Sequence, residues 1–329
     1  MREYFTKKDT LLFAKAISSP LRLDILHYVF KNKGTSLNDL ADTFNVSRAA
    51  ITQHLKILTD ADLIEIKPLF GNKEARKACY VKEDRFVISL VNQFNTDNFY
   101  EVDIPIGQYI AHNITPTCGI ATTDNLIGKE DNSSYFDDPE RMNASILWFN
   151  TGFIEYRLPN YLEKDDNILE LQLTMEISSE APGVAENWPS DISFYFNNHF
   201  IGKWTSPGDY GENQRGIYTP EWWQDNWNQY GLLKLLSINE HGTFIDGKQI
   251  SDITISSLKL TKDVPFLFKM AVLDDAKHKG GFTLFGKNFG NYNQDIKFRV
   301  FYEKKKTLIL KELTSFFLFF QSIFFNITI

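Results

Sequence analysis

Between Trp188 and Tyr230 the 329-residue chain places five of its six tryptophans: Trp188, Trp204, Trp222, Trp223 and Trp227. Asp209, Tyr210, Arg215, Gln224, Asp225 and Asn226 are interleaved with them. Flat indole faces cover the apolar faces of sugar rings, while carboxylate, amide and guanidinium groups bond the hydroxyls around the ring. Trp204, Asp209, Tyr210, Arg215, Trp222 and Trp223 are therefore the candidate ligand-binding residues. The plain alternative is that these tryptophans form the core and rim of a β domain. Glu180, Glu186, Asp191, Asp209, Glu212 and Glu221 are also at hand, but no spacing singles out two of them for glycoside hydrolysis. No Gly-x-Ser-x-Gly elbow, phosphate loop or His-Glu-x-x-His helix occurs. No catalytic residue is assigned, and binding without turnover is expected.

A second group of chemically active residues lies near the N-terminus. On a helical wheel started by Ser47, Ile51, Leu55 and Leu58 share one face. Arg48, Ala49, Thr52, Gln53 and Lys56 lie on the other. An arginine can fork onto guanine and a glutamine can bond adenine in the major groove. Ser47 and Thr52 suit phosphate or a base edge, and Lys56 suits phosphate. His54 sits at the border of the two faces, where helix packing and DNA contact are both open. Lys73, Arg76 and Lys77 flank Gly71-Asn72 in a following hairpin, and a basic hairpin tip fits the minor groove or phosphates.

The stretch SPLRLDIL (Ser19–Leu26) resembles the second helix of ArsR-family winged-helix repressors, and VSRAAITQHLKIL (Val46–Leu58) resembles their turn and recognition helix. The resemblance spans about residues 9–83. It implies a DNA-binding transcriptional regulator, double-stranded operator DNA as partner, and a homodimer. Asp62 departs from the family's usual glycine, but Asp tolerates a left-handed backbone better than most residues. The family's best-known function, metal sensing, is not expected here. The third helix carries no cysteine, Cys79 and Cys118 are far apart, and the six histidines show no ligand spacing. Neither a metal nor a cofactor is assigned.

Elements to position these residues can be read from pattern. Leu11, Leu12, Lys15, Ala16 and Ser19 have helical spacing. Ser19-Pro20 starts a second helix, with Leu21, Ile25, Tyr28 and Val29 as its stripe. Ser36 and Asp39 resemble a capping box before Leu37, Leu40, Ala41 and Phe44. Leu63–Lys67 and Lys77–Val81 alternate as strands around Gly71-Asn72. Helices followed by this hairpin make a winged helix-turn-helix over 1–83. Phe86, Val87, Leu90, Val91 and Phe94 predict a linker helix over 84–100. Strand patterns then dominate: Leu169 to Ile177, Ile192 to Phe196 before Asn197-Asn198, Ile253 with Ile255, Phe266 to Met270, and Ile296 to Tyr302. Many short strands with turn signals predict an all-β sandwich, jelly-roll-like, over 101–303. The fold class is multidomain, α+β followed by all-β.

Charge follows the same division. Residues 1–90 hold 15 Lys and Arg against 11 Asp and Glu, while 91–329 hold 20 against 31. A basic module meets phosphate although the chain as a whole has net charge −7. The N-terminus has no apolar signal core, so a cytoplasmic protein is expected. Residues 304–329 form an apolar tail, with no charge from Leu313 to Ile329. An artefactual segment, a segment packed on the sandwich, and a membrane anchor all fit that composition; membrane attachment is not the expectation. A sandwich of 200 residues is larger than dimerisation needs. It is read as a sensor for a small-molecule effector, a carbohydrate by preference, with a protein-interaction or assembly module as the alternative.

Overall fold

The computed structural model describes residues 2–4, 7–69, 76–82, 86–88, 98–261 and 264–304. The chain divides into two compact units, Met1–Asn95 and Thr96–Ile329.

The first unit runs β1 (Arg2–Tyr4), α1 (Lys7–Ile17), α2 (Pro20–Lys31), β2 (Thr35–Ser36), α3 (Leu37–Phe44), α4 (Arg48–Asp60), β3 (Ile64–Leu69), β4 (Arg76–Val81) and β5 (Phe86–Ile88). Strands β2, β4 and β3 form a three-stranded antiparallel sheet beside the helices. This is a winged helix-turn-helix. Its core collects the helical stripes: Ile25 and Val29 of α2, Leu40 of α3, and Ile51, Leu55 and Leu58 of α4, all at most 1% exposed. Each such side chain contributes about 1.5–3 kcal/mol on burial.

The helix ends are defined by side chains. Ser36 and Asp39 close the expected capping box. The Ser47 hydroxyl accepts from Ala50 N at 3.2 Å. Ser19 makes no side-chain cap. Arg22 of the SPLRLDIL stretch instead donates from Nε to Ala16 O and from Nη2 to Lys15 O, both at 2.6 Å, satisfying carbonyls at the end of α1. Helix α4 ends in a Schellman motif. Leu63 N donates to Leu58 O and Asp62 N to Thr59 O, with Asp62 left-handed at φ 58°. The departure from glycine is thus accommodated, and Asp62 also pairs with Lys82 at 2.7 Å.

The segment after the wing differs from its expected helix. Phe86–Ile88 is a strand, paired in parallel with Arg2–Tyr4. An aromatic residue followed by two β-branched ones prefers extended backbone, and a partner strand at the N-terminus lets that preference win. At the other end of the expected linker helix, Phe99 and Tyr100 belong to a strand, Phe99–Ile104; residues 83–85 and 89–97 lie outside the described residues, as do the wing tip and the apolar tail from 305.

The second unit is a β-sandwich. Its strands are β6 (Phe99–Ile104), β7 (Tyr109–Ile114), β8 (Cys118–Ala121), β9 (Ile146–Phe149), β10 (Gly152–Leu158), β11 (Asp166–Ser178), β12 (Ser190–Phe196), β13 (His199–Ser206), β14 (Leu232–Asn239), β15 (Gly242–Ile245), β16 (Lys248–Ser251), β17 (Phe266–Val272), β18 (Phe282–Phe285) and β19 (Ile296–Lys304). One sheet has the order β13-β12-β17-β10-β7, and the other holds nine strands around β11. Leu173 of β11 sits opposite Leu236 on one side and Phe298 on the other. With Leu171, Met175 and Ile177 it meets Ile154, Tyr156, Phe194 and Phe268 of the facing sheet in one continuous core. Ile253 and Ile255, expected in a strand, lie in a turn. Thr254 and Ser257 exchange side-chain and backbone hydrogen bonds there and bend the chain into a short 3-10 helix.

The other face of β11 is polar and also buried: Glu170, Gln172, Thr174, Glu176 and Ser178 are at most 8% exposed. Loops lie over this face. Glu176 fastens them, accepting from Gly231 N at 2.8 Å, Asn291 N at 2.8 Å and Tyr292 N at 2.9 Å. Gly290, at φ +71°, is required beside it, because a Cβ there would collide with the Glu176 carboxylate. Under the same loops Ala121, Ile146, Trp148, Trp223, Phe285 and Phe289 form a second apolar cluster. The loop residues 207–231 thus reach the back of the larger sheet.

Candidate functional site

In the winged helix, Ser47, Arg48, Thr52, Gln53 and Lys56 are all exposed along α4, opposite the buried Ile51, Leu55 and Leu58. Thr52 Oγ1 donates back to Arg48 O at 2.8 Å, leaving its lone pairs toward solvent. His54 is half-buried, and its Nδ1 has no hydrogen-bond partner among the described residues. Lys77 is exposed on β4. Arg76 lies at the first position of β4, with its side chain outside the described residues, and Lys73 lies outside them altogether.

The residues expected to bind a ligand are not gathered in one place. Trp204 belongs to the smaller sheet, opposite Ile192, with Lys234 Nζ 4.7 Å from its ring centroid. Tyr210 stacks on Tyr230 at 5.6 Å, and burial pushes its hydroxyl up to about 12. Arg215 is a fastener. It donates to Asp225 Oδ1 at 2.7 Å, to Trp223 O at 2.9 Å and to Pro220 O, shaping the loop that carries the tryptophans. Trp222 is half-buried, donates from Nε1 to Thr123 O at 2.6 Å, and packs edge-on against Trp223.

Trp223 lines a cavity of about 150 Å³ whose wall also includes Glu130, Asp131, Trp148, Glu180, Trp227 and Asn228. Trp223 meets Trp148 at 5.7 Å and Trp227 at 4.6 Å between ring centroids, both edge to face. Asp209 is fully buried behind this wall, and its Oδ2 accepts from Ala181 N at 2.9 Å. Burial, reinforced by the charge of Glu180, pushes the Asp209 carboxyl up to about 9. Burial also raises Glu180 to about 8, although Thr283 Oγ1 donates to its Oε2 at 2.6 Å. Asn228 donates from Nδ2 to Ser178 Oγ at 2.7 Å, Ser179 O at 3.0 Å and Thr283 Oγ1 at 3.1 Å. Its Oδ1 is buried without a partner, as are Asp209 Oδ1 and Ser179 Oγ.

Of the six expected ligand residues, then, only Trp223 is in the cavity wall, with Asp209 behind it and Trp222 beside it. Sequence reasoning missed Trp148, Trp227, Glu130, Asp131, Glu180 and Asn228 as cavity residues. Trp148 is the one tryptophan outside the 188–230 run, and strand β9 brings it in.

A helix-turn-helix domain family model matches residues 17–67. An uncharacterized HTH-type transcriptional regulator of Methanocaldococcus jannaschii is 31% identical over 80 residues, which are 24% of this chain and 83% of that one. The chain belongs to the helix-turn-helix transcriptional regulators. Among solved structures, a carbohydrate-binding module in complex with calcium and xylotriose aligns with 59% of this chain and 100% of its own, at 11% identity and a TM-score of 0.21. That superposition is too loose to transfer any residue. Among the described residues no helix is long and apolar enough to cross a membrane.

Proposed function

We propose that the protein is an ArsR-type regulator that binds operator DNA as a homodimer and whose β-sandwich senses a small molecule, a carbohydrate by preference. The observation that carries the reading is the cavity at Trp223: aromatic walls, carboxylates and the unpartnered Asn228 amide oxygen in one concave place on a domain joined to a DNA reader. A cavity of about 150 Å³ is on the scale of one small ring, since an engineered cavity of about that size accepts benzene. The ligand is therefore one sugar ring, or one end of a larger molecule. Two winged helices, each reading a half-site about one helical turn apart, supply more affinity than one.

Effector action requires different affinities for the DNA-competent and incompetent states. A typical coupling changes DNA affinity roughly 5- to 150-fold. The test is operator affinity of the full chain against a panel of sugars, with turnover of the matching glycosides measured alongside. A shift in operator affinity without turnover supports a sensor. Operator affinity that no compound alters would favour the second reading, a β unit that serves assembly or a protein partner.

A further inference from the structure

The cavity at Trp223 has a one-sided chemistry. Its wall contains three carboxylates, Glu130, Asp131 and Glu180, and no lysine, arginine or histidine. Glu180 Oε2 has its donor in Thr283, and Asp131 Oδ1 accepts from Cys118 N at 3.1 Å. Asn228 is 4% exposed, lines the cavity, and keeps Oδ1 unpartnered. A buried acceptor without a donor costs about 1–3 kcal/mol, so the site is left wanting a donor. Its apolar surface is supplied by Trp148, Trp223 and Trp227, whose π faces attract cations. Among the described residues no three His, Cys, Asp or Glu side chains converge tightly enough to hold a metal ion. Negative charge spread around an aromatic wall suits a bulky polyatomic cation instead.

We propose that this cavity binds an ammonium group, with an amino sugar as the ligand that also suits the sensor. The proposal rests on the reading of the β-sandwich as a small-molecule sensor and names the charge its ligand carries. An ammonium supplies the N–H donor that Asn228 Oδ1 lacks, and its charge is met by Glu130, Asp131 and Glu180. Groups facing Glu180 are Glu130 and Asp131 from the loop after β8, Asp209 from the loop after β13, Asn228 from the loop before β14, and Thr283 of β18. None of these is a cation, so Glu180 holds its proton in the empty site and releases it to solvent when a cation binds beside it.

The experiment is isothermal titration calorimetry on the full chain with glucosamine, N-acetylglucosamine, glucose and choline at pH 7, in two buffers of different ionisation enthalpy. Glucosamine is expected to bind at least tenfold more tightly than its two neutral relatives, with proton release. Glu180→Gln, which keeps an oxygen for Thr283, should abolish the proton release and weaken glucosamine about tenfold. Glu130→Gln, on the exposed rim, should weaken it less and cannot do so by unfolding the domain. Choline binding with proton release and no glucosamine binding would overturn the N–H donor argument and the amino-sugar assignment, leaving a site for cations without N–H groups. Equal binding of glucose and glucosamine would overturn the ammonium proposal and leave the sugar sensor standing. Binding of none of the four, while an unrelated compound shifts operator affinity, would overturn the cavity assignment and leave a sensor with its site elsewhere.

Discussion

The two candidate surfaces are built in opposite ways. On the winged helix, Ser47, Arg48, Thr52, Gln53 and Lys56 lie within ten residues of one another, exposed on a single helix whose other face forms the core. In the sandwich, the cavity draws on Thr117, Glu130, Trp148, Glu180 and Asn228, from loops and strands more than a hundred residues apart. Apart from Ser47, whose hydroxyl caps α4, the reader's side chains can be exchanged without touching its fold. The cavity's side chains are also the packing that holds loop 207–231 against the larger sheet. Specificity on the helix is therefore open to change one residue at a time, whereas the cavity's chemistry is tied to the stability of the β unit.

That contrast can be broken first at Glu176. Its carboxylate is the acceptor for three buried backbone N–H groups. Glu176→Ala should destabilise the β unit by on the order of 3–5 kcal/mol, because those donors lose their partner without gaining water. Denaturant unfolding followed by tryptophan fluorescence measures it. The helical circular dichroism of the winged helix should persist where the β unit has unfolded.

A second prediction uses pH. Asp209 and Glu180 are raised from ordinary values of 3.8 and 4.5 to about 9 and about 8. Both carboxyls therefore hold protons when folded that they lose when unfolded. Unfolding releases protons between about pH 4 and pH 9, so the contribution of this pair to stability falls as pH rises through that window. Below about pH 4 both states are protonated and the slope from this pair vanishes. Asp209→Asn combined with Glu180→Gln should flatten the fall in melting temperature between pH 5 and about pH 9. A slope unchanged by the double variant would show that these carboxyls are ionised in the folded state.

How much of this was legible in the sequence follows from the same contrast. A helix repeats every 3.6 residues, so Ile51, Leu55 and Leu58 announced a buried face and thereby an exposed one. Ser36 with Asp39, and Ser47, were readable because caps act within three residues. The strand from Leu169 to Ile177 announced its inner face by alternation. Burial of Glu176 on its other face was not readable, because a loop more than fifty residues later covers it. The tryptophan run showed where aromatic packing would lie but not which ring would line the cavity. Trp204 follows its strand into the smaller sheet, whereas Trp148 arrives from β9. Arg215 had the chemistry of a ligand contact, and backbone carbonyls claimed it.

Smaller effects sharpen the reader's half of the comparison. Arg48→Ala should weaken specific DNA binding by about 1–3 kcal/mol and relax preference at one base pair, with melting temperature nearly unchanged. Fluorescence anisotropy on operator variants measures both. The smallest change is Asp62→Gly. Relief of the left-handed strain and loss of the Lys82 pair oppose each other, so the winged helix should gain about 0–1 kcal/mol by thermal melting.

The central claim is that the cavity of the β-sandwich controls the DNA-reading helix. The most direct measurement is the affinity of the full chain for an operator selected from random duplexes, taken across a glucosamine titration, in wild type and Glu180→Gln. The expected result is a change of roughly 5- to 150-fold at saturation in wild type and a response shifted to about tenfold more glucosamine in the variant, with ligand-free affinity equal in both. An operator affinity that stays constant while calorimetry shows glucosamine seated in the cavity would contradict it.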